Sequence, residues 1–154
     1  MSISISIDNY CEVVEKELSS KFSPEEIKRL NDWYSAKDQD TAFREYQENI
    51  RTVECKYCID LANANFYELW SLLNLEPEDS GEVSGYELIE LKIKAESLLN
   101  TIKSIPEQFT TETEEIKEEG KATVIVIGKD NEYWERTIND LINLIDKTDR
   151  IFWG

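Results

Sequence analysis

Histidine is absent from all 154 residues. Without it there is no Ser-His-Asp or Cys-His nucleophilic centre. A His-ligated zinc, a His-held haem and a 2-His-1-carboxylate iron site are excluded as well. Positive charge is scarce: 17 Lys and Arg stand against 33 Asp and Glu, leaving a net charge of −16. Such a field repels the phosphate backbone of nucleic acids and the surface of anionic membranes. It attracts cations and basic partners instead. Cysteine is also sparse, and its number, three, is odd. With glycine only at 81, 85, 120, 128 and 154, there is no Walker loop or G-x-G-x-x-G. Long uncharged apolar runs are missing, and Met1–Ile7 is too short for a signal h-region and has no basic flank. The expectation is a cytoplasmic protein with reduced thiols.

What is present is enough apolar content for a core, 40% of the chain. The spacing predicts an α+β fold in one domain, mainly helical, with two possible lobes at 1–75 and 76–154. Ser6 or Asp8 is the expected cap of a first helix. Ser23-Pro-Glu-Glu26 is a helix start with a capping box. Helical periodicity then runs from Thr41 through Tyr46, Ile50, Tyr57 and Trp70 to Leu73. Further helices are expected over about 86–105 and 131–147. A β-hairpin is expected over about 109–128, around the β-branched run Thr123–Ile127, and a strand at 3–7 is its possible third member. The apolar tail Ile151–Trp153 is expected to pack. Residues 1–75 carry a net charge of −6 and residues 76–154 one of −10.

The segment from Glu76 to Glu87 resembles an EF-hand calcium loop. That loop needs oxygens at positions 1, 3, 5 and 12, a backbone carbonyl at 7 and glycine at 6. Those places hold Glu76, Glu78, Ser80, Glu87, Glu82 and Gly81. The resemblance adds Val83 at position 8 and Ser84 at position 9, with Leu72, Leu88 and Leu91 as apolar flanks. It departs from the pattern in having Glu for Asp at the first and third positions, a proline at 77, and no second loop to pair with. The bland reading is an acidic connector between two helices.

Asp38 and Asp40 form a second candidate pair. Asp40 suits an N-cap for a helix from Thr41, which leaves Asp38 as the better ligand, with Asp32 one turn earlier. Glu112, Glu114, Glu115, Glu118 and Glu119 read as a solvated strand face, and Asp130 and Glu132 as acids at a helix start. Cys55-Lys-Tyr-Cys58 falls within the helical pattern and reads as packing. A closed zinc site would want further thiol or imidazole ligands, and only Cys11 remains. The tryptophans at 33, 70, 134 and 153 read as core.

In its whole character the chain resembles the CcbP family of small acidic calcium-binding proteins from filamentous cyanobacteria: short, very acidic, with scattered carboxylate clusters and no paired EF-hands. The resemblance implies a cytoplasmic Ca2+ buffer that regulates heterocyst differentiation, with a link to the differentiation protease HetR. The leading expectation is therefore calcium binding and sequestration rather than catalysis, through Asp38, Asp40, Glu76, Glu78, Ser80, Glu82 and Glu87. The alternative is an acidic, nucleic-acid-mimicking protein that binds a basic partner. Where the acids lie separates the two: a metal site converges them on a point, and a mimic spreads them over a surface.

Overall fold

The computed structural model describes residues 1–104 and 129–154, together with the backbone of 113–118 and 121–126. The chain begins with β1 (Ser2–Ile7), α1 (Tyr10–Lys21) and α2 (Pro24–Asn31). A 3-10 turn (Asp32–Ser35), α3 (Gln39–Tyr46), a π turn (Gln47–Arg51) and the short α4 (Thr52–Glu54) follow. Next come β2 (Cys58–Ala62), α5 (Asn63–Leu72), β3 (Gly81–Ser84) and the long α6 (Gly85–Ser104). The chain ends with β4 (Thr113–Glu118), β5 (Lys121–Val126), α7 (Asn131–Ile145) and β6 (Arg150–Trp153). The class is α+β, as the sequence predicts.

The main sheet is antiparallel, with strand order β2-β1-β6-β3. β1 lies inside it and obeys a strict period of two. Ile3, Ile5 and Ile7 are buried against the helices, while Ser4 and Ser6 face the other side. This arrangement corrects the idea that strand 3–7 joins the hairpin. β4 and β5 pair with each other as a separate two-stranded sheet, and β1 pairs with β2 and β6. Fully apolar on one face, β1 needs partners that complete a buried layer, and Leu61 and Ile151 on its neighbours provide them. The ends of the predicted hairpin, 109–112 and 127–128, lie outside the described residues.

The principal core gathers Phe66, Leu69 and Trp70 of α5, Leu91 and Ala95 of α6, and Trp134, Ile138 and Leu141 of α7 against the isoleucines of the sheet. At about 25 cal/mol per Å² of apolar surface, burial of this set is the main favourable term in folding. A smaller core of Val14, Leu18, Leu30, Ile50 and Val53 holds α1, α2 and the π turn together, and Tyr10 and Tyr57 touch both cores. Trp70 and Trp134 are core as expected.

Several local expectations are corrected. α1 is preceded not by a Ser6 or Asp8 cap but by Asn9, which adopts the left-handed conformation (φ 56°) that Asn tolerates. Asp8 instead accepts from the Asn9 amide at 3.1 Å. The long helical pattern after Thr41 breaks at Cys58, where Cys58-Ile-Asp-Leu-Ala62 becomes β2 and pairs with β1 across five residue pairs. The acidic connector does not run to Glu87 as a loop. Its second half is β3, which pairs with β6. Ser23 caps α2 as predicted, accepting from the Glu26 amide at 3.2 Å.

Candidate functional site

The acids singled out by the sequence sit apart, and several already serve the fold. Asp38, not Asp40, caps α3: its carboxylate accepts from the Thr41 amide at 3.1 Å and the Thr41 hydroxyl at 2.7 Å. Those bonds hold its carboxyl below the usual range. Asp40 occupies the first turn of the same helix, and Asp32 opens the 3-10 turn. Asp130 caps α7 by accepting from the Tyr133 amide at 2.9 Å. Glu114, Glu115 and Glu118 fall on β4, while Glu112 and Glu119 lie outside the described residues.

The EF-hand-like segment is opened out. Glu76, Glu78 and Ser80 are exposed on the connector after α5, Glu82 lies on β3, and Glu87 is in the first turn of α6. Glu82 faces Arg150 of β6 at 3.8 Å. Asp79 accepts from the Tyr67 hydroxyl, and the Glu78 carbonyl accepts from Trp153 Nε1 at 3.0 Å. Gly81 does not turn the chain. It lies in β3, flat against the Trp153 ring, where a Cβ would overlap the indole. The left-handed glycine is Gly85, at φ 59°, where α6 begins. Among the described residues, no group of three or more His, Cys, Asp or Glu side chains is placed to hold one metal ion.

The side chains that do converge lie elsewhere, around Arg51 at the end of the π turn. Its guanidinium pairs with Asp60 of β2 and with Glu54 at 3.3 Å. Asp60 also accepts from Ser4 and, at 3.5 Å, from the Cys58 thiol. Tyr46 donates to Glu54 at 3.2 Å. Burial works to raise the Asp60 carboxyl, but the hydrogen bonds from Ser4 and Arg51 outweigh it and hold it below the usual carboxylate range. The Asp60 contact drives Arg51 further toward its charged form. Burial first, and then the Asp60 charge, push the Cys58 thiol up to about 12. Burial and the nearby Glu54 raise the phenols of Tyr10 and Tyr46.

Arg51 also lines an open cleft of about 460 Å³, together with Asn31, Trp33, Tyr34, Phe43, Tyr46 and Gln47. Trp33 stacks on Tyr34 with centroids 3.7 Å apart, and it meets Phe43 at 4.7 Å and Tyr46 at 6.0 Å. Two bonds brace the walls. The Gln39 amide donates to the Tyr34 carbonyl at 2.8 Å, and Arg29 of α2 pairs with Glu45 of α3 at 2.8 Å. Tyr34 is 73% exposed and Phe43 37% exposed, so these ring faces meet solvent. Reading Trp33 as plain core is therefore corrected. The available signal was Phe43 and Tyr46 at i, i+3 on a helix that is otherwise polar, with Trp33-Tyr34 just upstream.

The Cys-x-x-Cys is corrected too. Cys55 is exposed beyond the end of α4 and Cys58 opens β2, so the pair bridges a helix-to-strand turn rather than lying in a helix. Cys11, Cys55 and Cys58 are all free thiols. No family model, curated protein or solved structure matches the chain. No helix among the described residues is long and apolar enough to cross a membrane.

Proposed function

We propose that this chain is an acidic interaction protein, not an enzyme, and that it binds a basic protein partner by taking a cationic side chain into the Trp33–Tyr34–Phe43–Tyr46 cleft. The observation that carries this reading is a cluster of aromatic rings with Tyr34 and Phe43 exposed to solvent, on a chain of net charge −16. A guanidinium or ammonium over an aromatic face gains about 0.5–2 kcal/mol, more as it is desolvated. Arg51 does not oppose this, because Glu54 and Asp60 together exceed its charge by one. The acids spread over the surface supply a long-range field that speeds encounter with a basic partner and makes it salt-sensitive. The cytoplasm suits the three free thiols. The test is a calorimetric titration with an unstructured arginine-rich peptide, against a neutral Gly-Ser peptide of the same length. Saturable heat with the first alone supports the reading, and equal heats with both oppose it.

Calcium binding is the second reading. It is favoured by Glu76 and Glu78, which stand exposed on one connector and whose carboxylates make no hydrogen bond or ion pair with described residues. In that reading the chain buffers Ca2+ through surface carboxylates, the role that the resemblance to the CcbP family implies. HetR would then be the regulatory protease to examine as partner. Titration with calcium, with magnesium as control, tests it: selective saturable heat supports calcium, and equal weak heats leave only a diffuse acidic field.

A further inference from the structure

Helix α6 carries two apolar stripes. One, with Leu88, Leu91, Ala95, Leu99 and Ile102, is buried in the core. The other has no partner among the described residues: Tyr86, Ile89 and Ile93 follow at i, i+3 and i+7 on the opposite face and are 75%, 58% and 60% exposed. An ordinary solvated helix places charge there, as this chain does abundantly elsewhere. The charges of α6 also balance. Glu87, Glu90 and Glu96 are matched by Lys92, Lys94 and Lys103, so the helix is neutral in a chain of net charge −16. The exposed stripe therefore lies on a helix that adds no net repulsion toward a second acidic molecule.

We infer that this stripe is a self-association surface, and that two copies of the chain pair through antiparallel α6 helices about a two-fold axis near Ile89 and Ile93. An isologous contact must be self-complementary, and the charges beside the stripe meet that demand. Glu90 and Lys94 are exposed on the same flank, one turn apart. Antiparallel pairing sets Glu90 of each copy against Lys94 of the other, so the contact makes the same ion pair twice. Ile89 and Ile93 then fill the seam between the helices, and Tyr86 closes each end.

Sedimentation equilibrium over a concentration series of the full chain tests the pairing. The wild type is expected to show a monomer–dimer equilibrium. Ile93→Ser, at a position too exposed to unfold the chain, is expected to weaken the dimer on the order of tenfold, as for an interface anchor worth about 1.4 kcal/mol. Glu90→Lys and Lys94→Glu should each weaken it as well. The double variant carrying both changes should restore it, and so should a mixture of the two single variants, since each then faces its complement. A monomer at every concentration overturns the inference, including the case in which residues 105–128 of the same chain cover the stripe. A dimer indifferent to Ile93→Ser and to both charge reversals also overturns it, since that dimer uses another face.

Discussion

The Arg51 guanidinium is bonded to the Asp60 carboxylate, which ties the π turn after α3 to the edge strand β2 and links a lining residue of the aromatic cleft to the main sheet. π turns recur at functional positions, and here one delivers Arg51 between two acids. The contact has a pH signature. Asp60 is held below its ordinary value, so between the folded and unfolded pKa values the unfolded chain binds more protons and stability rises with pH. The contribution is complete above about pH 4 and is lost as pH falls through the folded value. Asp60→Asn is expected to cost about 1 kcal/mol at neutral pH, with its partial exposure taken into account. It should also flatten the acid limb of a urea-melt stability profile. An unchanged acid limb would show that Asp60 does not bind this junction.

Cys58 titrates in the opposite sense. Its thiol is pushed up to about 12 by burial and by Asp60, while an unfolded thiol ionises near 8.5. Stability from this group is therefore whole below about pH 8.5 and declines as pH rises toward 12. Because the thiolate is the reactive form, alkylation at pH 8 in native buffer should modify exposed Cys11 and Cys55 well before Cys58. Mass spectrometry of the labelled chain checks the order. Equal labelling of Cys58 would contradict its placement.

Gly81 and Trp153 fix the contact between β3 and β6. Gly81→Ala forces a methyl into the indole, whose Nε1 is already held by the Glu78 carbonyl at 3.0 Å. Overpacking of this kind costs about 1–3 kcal/mol. A lower denaturant midpoint with unchanged slope, and a shift in tryptophan emission, are the expected readings. An EF-hand-like loop makes a different demand, since there the glycine sits at the turn and its substitution acts chiefly on calcium affinity.

Asp38 separates the same two ideas. As the cap of α3, its replacement by Ala should lower the melting temperature of the apo chain, and replacement by Ser should lower it less, since Ser also caps. As a calcium ligand it would instead lower calcium heat with little effect on the apo melt. A thermal melt and a calcium titration of Asp38→Ala and Asp38→Ser tell the two roles apart.

Much of the fold was legible wherever one period dominated. The alternation of Ile3, Ile5 and Ile7 marked a strand, and Ser23-Pro-Glu-Glu26 marked a helix start, because each is a local signal with a local cause. β2 was not legible. Its five residues interrupt an apolar pattern that suits a helix, and only pairing with β1, 56 positions away at Ser4 and Asp60, makes it a strand. β3 was hidden in the same way, since Gly81–Ser84 becomes a strand by pairing with Gly81↔Trp153 to Ser84↔Arg150 on the chain's last strand. Asp38 and Asp40 are two residues apart, and the sequence pointed to Asp40 as the cap of a helix from Thr41, whereas the helix begins at Gln39 and uses Asp38. The aromatic cleft depends on a chain reversal between Trp33 and Phe43, so its four rings look like unrelated core residues when read in order.

Tyr34 offers the most direct test of the proposed binding role. It is 73% exposed, stacks on Trp33 and forms no part of either core, so Tyr34→Ala removes a cleft wall without changing charge or fold. The measurement is calorimetric titration of the arginine-rich peptide into the wild type and into Tyr34→Ala at physiological salt. The account predicts affinity lower by about threefold to tenfold in the variant, equivalent to the ~0.5–1.5 kcal/mol of one exposed cation–aromatic contact, with the same dependence on salt. Equal affinity in both proteins would contradict it, because the peptide would then be held by the acidic field alone and the cleft would have no part in binding.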